Sequence, residues 1–170
     1  MLPRIIAVTG TDTGVGKTIA TAGLAALLCG LGFRIAVYKP CQTGAAIGDS
    51  DIREIQRLSG ATRVEAGIVL REPMAPLAAA TLEGRDLPTV AQHAERIQEL
   101  AYTVDHVIVE GAGGLLVAFD AEGGTLADIA GNTAVQAGVI VVARSGLGTL
   151  NHTALTLEAL HRRVFTSSAL

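Results

Sequence analysis

Short apolar runs alternate along this chain with longer segments in which apolar residues recur at helical spacing. The runs are rich in β-branched residues, which favours strands, and the longer segments are rich in alanine and leucine, which favours helices. The pattern predicts strands at 4–9, 33–38, 67–70, 105–110 and 139–143. It predicts helices at 17–31, from the capping residues 49–51 to 58, and at 77–83, 90–101, 126–137 and 150–163, with a further strand starting at Val164. Such alternation indicates an α/β fold whose central sheet is mostly parallel and flanked by helices.

The whole chain of 170 residues is interpreted as one domain, because no repeat, low-complexity segment or linker interrupts this pattern. Apolar residues make up 49% of the chain and charged residues 17%, a balance that excludes a disordered protein. The mean hydropathy is +0.45, but no apolar run approaches the ~18 residues that a membrane span needs.

Charge and cysteine content narrow the expected partners and compartment. The formal net charge is −3 and the basic residues form no stripe, so we expect no nucleic-acid partner. Cys29 and Cys41 have no metal-ligand spacing, which favours reduced thiols in a cytoplasmic protein. Residues 1–4 run straight into a strand and lack the pattern of a signal peptide. We therefore expect a cytoplasmic protein without a membrane partner.

The segment 10–18 reads Gly-Thr-Asp-Thr-Gly-Val-Gly-Lys-Thr and stands between a predicted strand and a predicted helix. The general phosphate-loop pattern places four residues between its two glycines, whereas five residues separate Gly10 from Gly16 here. The chemistry is still complete, since backbone N–H groups and the helix N-terminus bind phosphate oxygens. Lys17 would neutralise the β- and γ-phosphates of ATP, and Thr18 would offer a hydroxyl to Mg²⁺. The nucleotide-binding residues predicted in this loop are Asp12, Thr13, Gly14, Val15, Gly16, Lys17 and Thr18.

Charged residues stand where two other predicted strands end. Lys39 follows the second strand, and ligands of open α/β sheets bind at the carboxyl ends of the strands. Glu110 ends the strand 105–110, which is the position of the second metal ligand in P-loop enzymes. The glycines after Glu110, Gly113 among them, indicate close approach of the backbone to a bound nucleotide. Asp49 and Asp51 precede a predicted helix, where an aspartate serves as a helix cap or as a metal ligand.

Four blocks of the sequence, at 10–18, 39–44, 110–114 and 148–153, occur in the order of a known family. The last three read Lys-Pro-Cys-Gln-Thr-Gly, Glu-Gly-Ala-Gly-Gly and Gly-Thr-Leu-Asn-His-Thr. With these blocks the chain resembles the dethiobiotin synthetases over essentially its whole length. The resemblance implies a homodimeric enzyme of the P-loop NTPase type that uses ATP and Mg²⁺ in biotin synthesis. In that family 7,8-diaminononanoate takes up CO₂ (supplied with bicarbonate) as a carbamate, the carbamate attacks the γ-phosphate of ATP, and the second amine closes the ureido ring.

The resemblance also implies roles for individual residues. Lys39 would stabilise the carbamate and the γ-phosphate, Thr43 would donate to the same group, and Thr13 would contact the diamine. The implied catalytic residues are Lys17, Lys39, Thr13 and Thr43, and the implied metal ligands are Thr18, Asp51 and Glu110. The spacing from Lys39 favours Asp51 over Asp49 as the metal-binding aspartate and leaves Asp49 as the cap, although the reverse assignment stays open. The segment implied to hold the substrate's carboxylate across the dimer is Gly148, Thr149, Leu150 and Asn151.

Two other functions share this loop and fold. Amide-forming synthetases of the cobyrinate type have an appended glutaminase-like domain, which this sequence lacks. Nucleotide-switched positioning ATPases have an additional lysine early in the loop, where this chain reads Thr-Asp-Thr at 11–13. The chains of the dethiobiotin synthetase family continue well beyond residue 170. We therefore expect the C-terminal part of that fold, with the region that recognises the nucleotide base, to be lacking here.

Overall fold

The computed structural model describes residues 2–48, 50–61, 63–132 and 137–165, with only the backbone of Phe165. The strands are β1 (Ile5–Gly10), β2 (Ile35–Gln42), β3 (Arg63–Val69), β4 (His106–Glu110) and β5 (Gly138–Val142). The α-helices are α1 (Lys17–Gly30), α2 (Asp51–Ser59), α3 (Pro76–Glu83), α4 (Val90–Thr103), α5 (Leu126–Gly131) and α6 (Thr149–Leu160). A short 3₁₀ helix at Ala45–Ile47 precedes α2, and a π-helical turn at His161–Phe165 follows α6.

The strands form one five-stranded sheet in the order β3-β2-β4-β1-β5, and every pairing is parallel. This confirms the predicted α/β fold. The three inner strands β2, β4 and β1 are buried along their whole length, whereas the edge strands β3 and β5 are partly exposed. Because the strands are parallel, their carboxyl ends meet at one edge of the sheet. The segments that follow the inner strands, which contain most of the predicted site residues, therefore converge there.

Helices cover both faces of the sheet. Alternate residues of each strand point to opposite faces, so neighbours such as Ile5 and Ile6 contribute to different cores. One core contains Ile6 with Ile55 of α2, and the other contains Ile5 with Ile97 of α4. Each buried aliphatic side chain of this size contributes roughly 1.5–3 kcal/mol to folding. The packed helices thereby fix the strand ends from which the site loops depart.

Strands β2 and β3 are longer than predicted. β2 continues to Gln42, because β3 pairs with its last residues and places Cys41 opposite Ile68. β3 itself starts at Arg63 rather than at residue 67. Lys39 therefore lies inside β2 and not after it, which corrects its predicted position. It still lies in the carboxyl-terminal half of β2, near the end of the sheet where the predicted site residues converge.

The last elements also differ from the prediction. The strand predicted to begin at Val164 is wrong, because residues His161–Phe165 form a π-helical turn. Val164 is buried in a small apolar cluster with Leu115, Ala127 and Leu160, so its apolar character serves packing against helices. The helix predicted to reach residue 137 ends at Gly131, while residues 133–136 and 166–170 lie outside the described ones. Within the described ranges, no helix is long and apolar enough to cross a membrane.

Candidate active site

A cleft of about 580 Å³ opens at the carboxyl edge of the sheet. Its walls come from the phosphate loop, the end of β2, the start of α2, the β3–α3 connection and the glycines after β4. The lining residues are Thr13, Gly14, Gly16, Lys17, Thr18, Lys39, Cys41, Gln42, Thr43, Asp51, Pro73, Met74, Ala75, Pro76, Glu110, Gly111, Ala112, Gly113 and Val117. Most of the predicted loop, catalytic and metal-binding residues thus meet in one place.

The phosphate loop joins the end of β1 to the first turn of α1. Gly16 caps α1 with a φ of 102°, a left-handed conformation that strongly favours glycine. The Lys17 ammonium donates to the carbonyl oxygen of Asp12 at 2.9 Å and so closes the loop on itself. A side chain on Gly10 would meet Val15 Cγ2 at 2.7 Å, which explains why the loop needs a glycine at its start. Contacts between residues of the loop therefore contribute to its shape.

Two of the predicted loop residues do not line the cleft. Asp12 directs its carboxylate to the guanidinium of Arg144, whose terminal nitrogen lies 2.5 Å from Asp12 Oδ2. Val15 packs its side chain against Gly10. Any contribution of these two residues to nucleotide binding would come from their backbone. Arg144 was not predicted, and nothing in the loop's own sequence indicates it.

A cluster of hard oxygen atoms lies beside the loop. The Thr18 hydroxyl is 2.9 Å from Asp51 Oδ1 and 3.1 Å from Glu110 Oε1, so one side chain contacts both carboxylates. The Lys39 ammonium donates to Asp51 Oδ2 at 2.7 Å and to Glu110 Oε1 at 2.8 Å. Glu110 is fully buried, and its Oε2 atom has no hydrogen-bond partner in the described part of the chain. The two carboxylates share one cation, and one of their four oxygens has no hydrogen-bond partner among the described residues.

Burial and neighbouring charges shift the pKa values of Lys39, Asp51 and Lys17. Burial alone would lower the pKa of Lys39, but the carboxylates of Glu110 and Asp51 outweigh burial and hold that pKa above its usual value. Burial would raise the pKa of Asp51, but the charge of Lys39 and hydrogen bonds from Lys39 and Thr18 hold it below its usual value. Burial lowers the pKa of Lys17, and the nearby charge of Lys39 acts in the same direction. Lys39 and Asp51 are thus held in their charged forms at neutral pH.

Local structure explains how Asp51 reaches the cluster. Ser50 caps α2 by accepting a hydrogen bond from the Arg53 backbone N–H at 3.3 Å, so Asp51 occupies the first helical position. The prediction that Asp49 serves as the cap is wrong, and Asp49 itself lies outside the described residues. The Asp51 backbone N–H donates to the side-chain oxygen of Gln42 at 3.1 Å, which ties α2 to the end of β2.

Gln42 is a residue that the sequence analysis missed. It is almost fully buried, lines the cleft and donates from its amide nitrogen to the Thr43 carbonyl oxygen at 2.7 Å. It therefore positions both Asp51 and Thr43. Its position between Lys39 and Thr43 in the block 39–44 is the sequence feature that could have identified it as a site residue.

The glycines after β4 let the backbone come close to the cleft. Gly113 has a φ of 63°, and a side chain there would meet Val117 Cγ2 at 2.8 Å and approach the Thr13 hydroxyl at 3.5 Å. Gly113 therefore brings the backbone close to the phosphate loop. The predicted approach of this backbone to a bound nucleotide stays a prediction. Gly111 continues from β4 by donating its N–H to the Val8 carbonyl oxygen at 3.0 Å.

Part of the cleft wall is largely apolar. Cys41, Pro73, Met74 and Pro76 line it, and Thr43 adds a hydroxyl at its edge. Burial raises the pKa of the Cys41 thiol to about 12, so this thiol is protonated and unreactive at neutral pH. Such a wall suits an aliphatic substrate whose polar groups point toward Lys39 and the loop.

The segment predicted to bind the substrate's carboxylate lies elsewhere. Gly148 is the N-cap of α6, and Thr149, Leu150 and Asn151 form the first turn of that helix. None of the four lines the cleft of its own chain. Leu150 is 85% exposed and the preceding Leu147 is fully exposed, so this turn points into solvent. The role implied for the segment, in the site of a partner subunit, stays a prediction.

No group of three or more His, Cys, Asp and Glu side chains in the described ranges is placed to hold a metal ion. The two carboxylates and one hydroxyl of the cleft nevertheless suit Mg²⁺. This ion takes hard oxygen ligands, keeps several waters and is commonly bound by one or two carboxylates together with substrate phosphates. The Glu110 Oε2 atom, which is buried without a hydrogen-bond partner among the described residues, agrees with such a site.

The parallel sheet and the loop before α1 define a P-loop nucleotide-binding protein. A family model described as an AAA domain matches residues 4–167. The kinase domain of the Escherichia coli tyrosine kinase ETK superposes with a TM-score of 0.57 and 18% identity, over 95% of this chain and 63% of that chain. Cell division protein FtsY from Thermotoga maritima gives a TM-score of 0.56 at 18% identity, over 93% and 49% of the two chains. These structures show that the fold is shared.

Sequence relatives identify the family within this class. The ATP-dependent dethiobiotin synthetase BioD of Mycolicibacterium vanbaalenii is 48% identical over 98% of this chain and 73% of its own length. The corresponding proteins of Mycobacterium avium (51% identical, 92% of this chain, 68% of the relative) and Saccharopolyspora erythraea (50%, 94%, 69%) are equally similar. The chain belongs to the ATP-dependent dethiobiotin synthetase family, as its sequence blocks predicted. It spans between 68% and 73% of the length of these relatives.

Proposed function

We propose that this protein carries out the reaction of its family, the ATP-dependent carboxylation and ring closure of 7,8-diaminononanoate to dethiobiotin. The observation that best supports this proposal is the position of Lys39. Its ammonium lies beside the phosphate loop, is almost completely buried, and faces a cleft that also has an apolar wall. A nucleotide phosphate and an aliphatic diamine can therefore lie next to each other with a fixed cation between them.

The phosphate loop would bind the polyphosphate of ATP. Its backbone N–H groups and the N-terminus of α1 favour negative charge. Lys17 would turn from the Asp12 carbonyl, its present acceptor at 2.9 Å, to the phosphate oxygens. An ammonium whose pKa is lowered by burial gains most when a phosphate charge arrives beside it.

Mg²⁺ would be held by Thr18, Asp51 and Glu110. The three side chains supply the hard oxygen donors that this ion prefers. They lie close together, because both carboxylates are within hydrogen-bond distance of the Thr18 hydroxyl. When bound there, the ion would offset the negative charge of the β- and γ-phosphates.

Lys39 and Thr43 would act on the second substrate. Charge builds up on the carbamate and the γ-phosphate as the two meet, and a fixed ammonium in a partly dry site stabilises that charge. Thr13 and Thr43 line the cleft and would orient the carbamate and the second amine. Holding the reacting groups in this geometry would supply most of the rate enhancement, because the reaction needs little covalent work from the protein.

We infer a homodimer in which the start of α6 completes the neighbouring site. The first backbone N–H groups of an α-helix have no partner within the helix, and groups of this kind bind carboxylates. This turn is highly exposed, since Leu150 is 85% exposed and Leu147, just before the helix, is fully exposed. Both cysteines are free thiols, which agrees with the proposed cytoplasmic location.

The test is phosphate release from MgATP, measured with and without diaminononanoate and bicarbonate. The proposal predicts release only when both co-substrates are present, and a loss of release in Lys17→Ala. Phosphate release that ignores the diamine would instead indicate a nucleotide-switched ATPase. Circular dichroism of each sample confirms that the protein compared is folded.

A further inference from the structure

The phosphate loop contains a carboxylate next to the proposed site of a polyanion. Asp12 Oδ1 accepts the backbone N–H of Thr13 at 2.7 Å, and the Asp12 carbonyl accepts the Lys17 ammonium at 2.9 Å. Asp12 therefore helps to shape the loop. Its negative charge, however, lies one residue from Thr13, which lines the cleft. Like charges within about 8–10 Å repel each other at ordinary ionic strength, so an uncompensated Asp12 would weaken the binding of phosphates.

Arg144 compensates this charge from outside the loop. Its guanidinium lies 2.5 Å from Asp12 Oδ2, so the two oxygens of the carboxylate have separate partners. Arg144 follows β5, and the Thr11 backbone N–H donates to the Val142 carbonyl at 3.0 Å, so the loop is already held against the end of that strand. The backbone contact brings the arginine and the aspartate together.

The pair is half-exposed, with 45% of the Arg144 side chain and 51% of the Asp12 side chain accessible. Exposed ion pairs contribute little to folding, so stability alone gives no strong reason for this contact. Its position beside the phosphate loop indicates an effect on nucleotide binding instead, because the pair sets the local charge near the nucleotide's phosphates.

We propose that Arg144 is a positioning residue of the nucleotide site. It holds the Asp12 carboxylate away from the cleft and cancels its charge, which lets the loop keep the hydrogen bond between Asp12 and Thr13 without repelling the nucleotide's polyphosphate. This inference rests on the proposed nucleotide-binding function of the loop and assigns that site a residue 132 positions away in the sequence.

The test is the affinity for MgADP, measured by titration calorimetry on the intact chain and its variants. In Arg144→Gln the carboxylate loses its counter-charge, and we expect the Kd to rise about fivefold at low ionic strength, the factor that one unit charge contributes at short range in water. The increase should shrink in 1 M salt, because screening shortens the range of the repulsion. Arg144→Lys keeps the charge and should bind almost as the parent chain does.

The decisive comparison is the double variant. Adding Asp12→Asn to Arg144→Gln removes the repelling charge but keeps an oxygen that can accept the Thr13 N–H, so binding should return to within about twofold of the parent chain. A purely structural role for Arg144 predicts the opposite, since two lost interactions should do at least as much harm as one. Arg34→Gln is the matched control, because it breaks another exposed arginine–aspartate pair, in which Arg34 lies 2.8 Å from Asp105. That pair directly precedes β2 and β4 and so lies at the amino ends of the strands, away from the cleft.

The outcomes separate this inference from the proposed function. A parent chain that does not bind MgADP would overturn the proposed nucleotide-binding function, and this inference with it. Normal binding by the parent chain, with an equal Kd for Arg144→Gln or without recovery in the double variant, would overturn the role of Arg144 alone. Recovery in the double variant together with an unchanged Arg34→Gln supports the role of Arg144.

Discussion

Replacing Lys39 with methionine removes the cation that two carboxylates share. The ammonium lies 2.7 Å from Asp51 Oδ2 and 2.8 Å from Glu110 Oε1, and Glu110 is 0% exposed. A buried charge that loses its partner costs about 3–5 kcal/mol, whereas a whole domain is stable by only about 5–15 kcal/mol. Methionine preserves most of the apolar stem, so little of the loss comes from packing. For a chain of this size each kcal/mol lowers Tm by about 2–4 °C, and we expect a fall of about 6–20 °C.

Magnesium makes this prediction specific to the carboxylates. A hard divalent cation can take the place of the missing ammonium, so Mg²⁺ without nucleotide should raise the Tm of Lys39→Met more than that of the parent chain. Lys17→Met is the matched control, because its ammonium donates to the carbonyl of Asp12 rather than to a carboxylate. Differential scanning calorimetry with and without Mg²⁺ measures both effects. An unchanged Tm in Lys39→Met, or an equal Mg²⁺ response in all three proteins, would refute the reasoning.

Acid should destabilise the protein through His93, whose burial lowers its pKa to about 4. In the unfolded chain this histidine takes up a proton near pH 6.5, so the neutral, buried His93 contributes its full stabilisation above that pH. This contribution to the free energy of unfolding, about 3 kcal/mol, is lost as the pH falls from 6.5 toward 4. In urea unfolding, the stability of His93→Gln should therefore depend less steeply on pH, and an equal slope would contradict this assignment. Glu110→Gln keeps the side-chain size but removes a ligand charge, and should raise the Mg²⁺ concentration for half-maximal phosphate release by about tenfold or more; an unchanged Mg²⁺ titration would exclude Glu110 as a ligand. Gly113→Ala forces a side chain onto a residue with a φ of 63°, and should cost about 1–3 kcal/mol in urea unfolding and raise the KM for ATP; parent-like values for both would show that the backbone can relax there.

The sequence predicted those parts of the site that depend on local order. The phosphate loop is a run of consecutive residues, so its chemistry can be predicted from the sequence without knowledge of the fold. Asp51 and Glu110 were predictable for a different reason, since segments that follow the inner strands of a parallel sheet converge at one edge. The meeting of their carboxylates around Lys39 follows from that topology.

Arg144 and Gln42 escaped prediction because each acts through a contact that no local pattern encodes. Arg144 reaches Asp12 only because β5 pairs with β1. Gln42 lies four residues beyond the end of the predicted strand 33–38, and its role appears only because β2 continues to it and the start of α2 bonds to its side chain. The strand predicted at Val164 was wrong for a similar reason. An apolar residue packs equally well in a strand or in a helical turn, and here Val164 packs in a helical turn against Leu115 and Leu160.

The most direct test of the proposed function follows the carbon that the reaction adds. The protein is incubated with MgATP, diaminononanoate and ¹³C-bicarbonate, and the products are analysed by mass spectrometry beside a phosphate assay. The account predicts dethiobiotin labelled at its ureido carbon, formed in equal amount with phosphate and absent from the Lys39→Met reaction. Phosphate release without a labelled ring, or full activity in Lys39→Met, would contradict it.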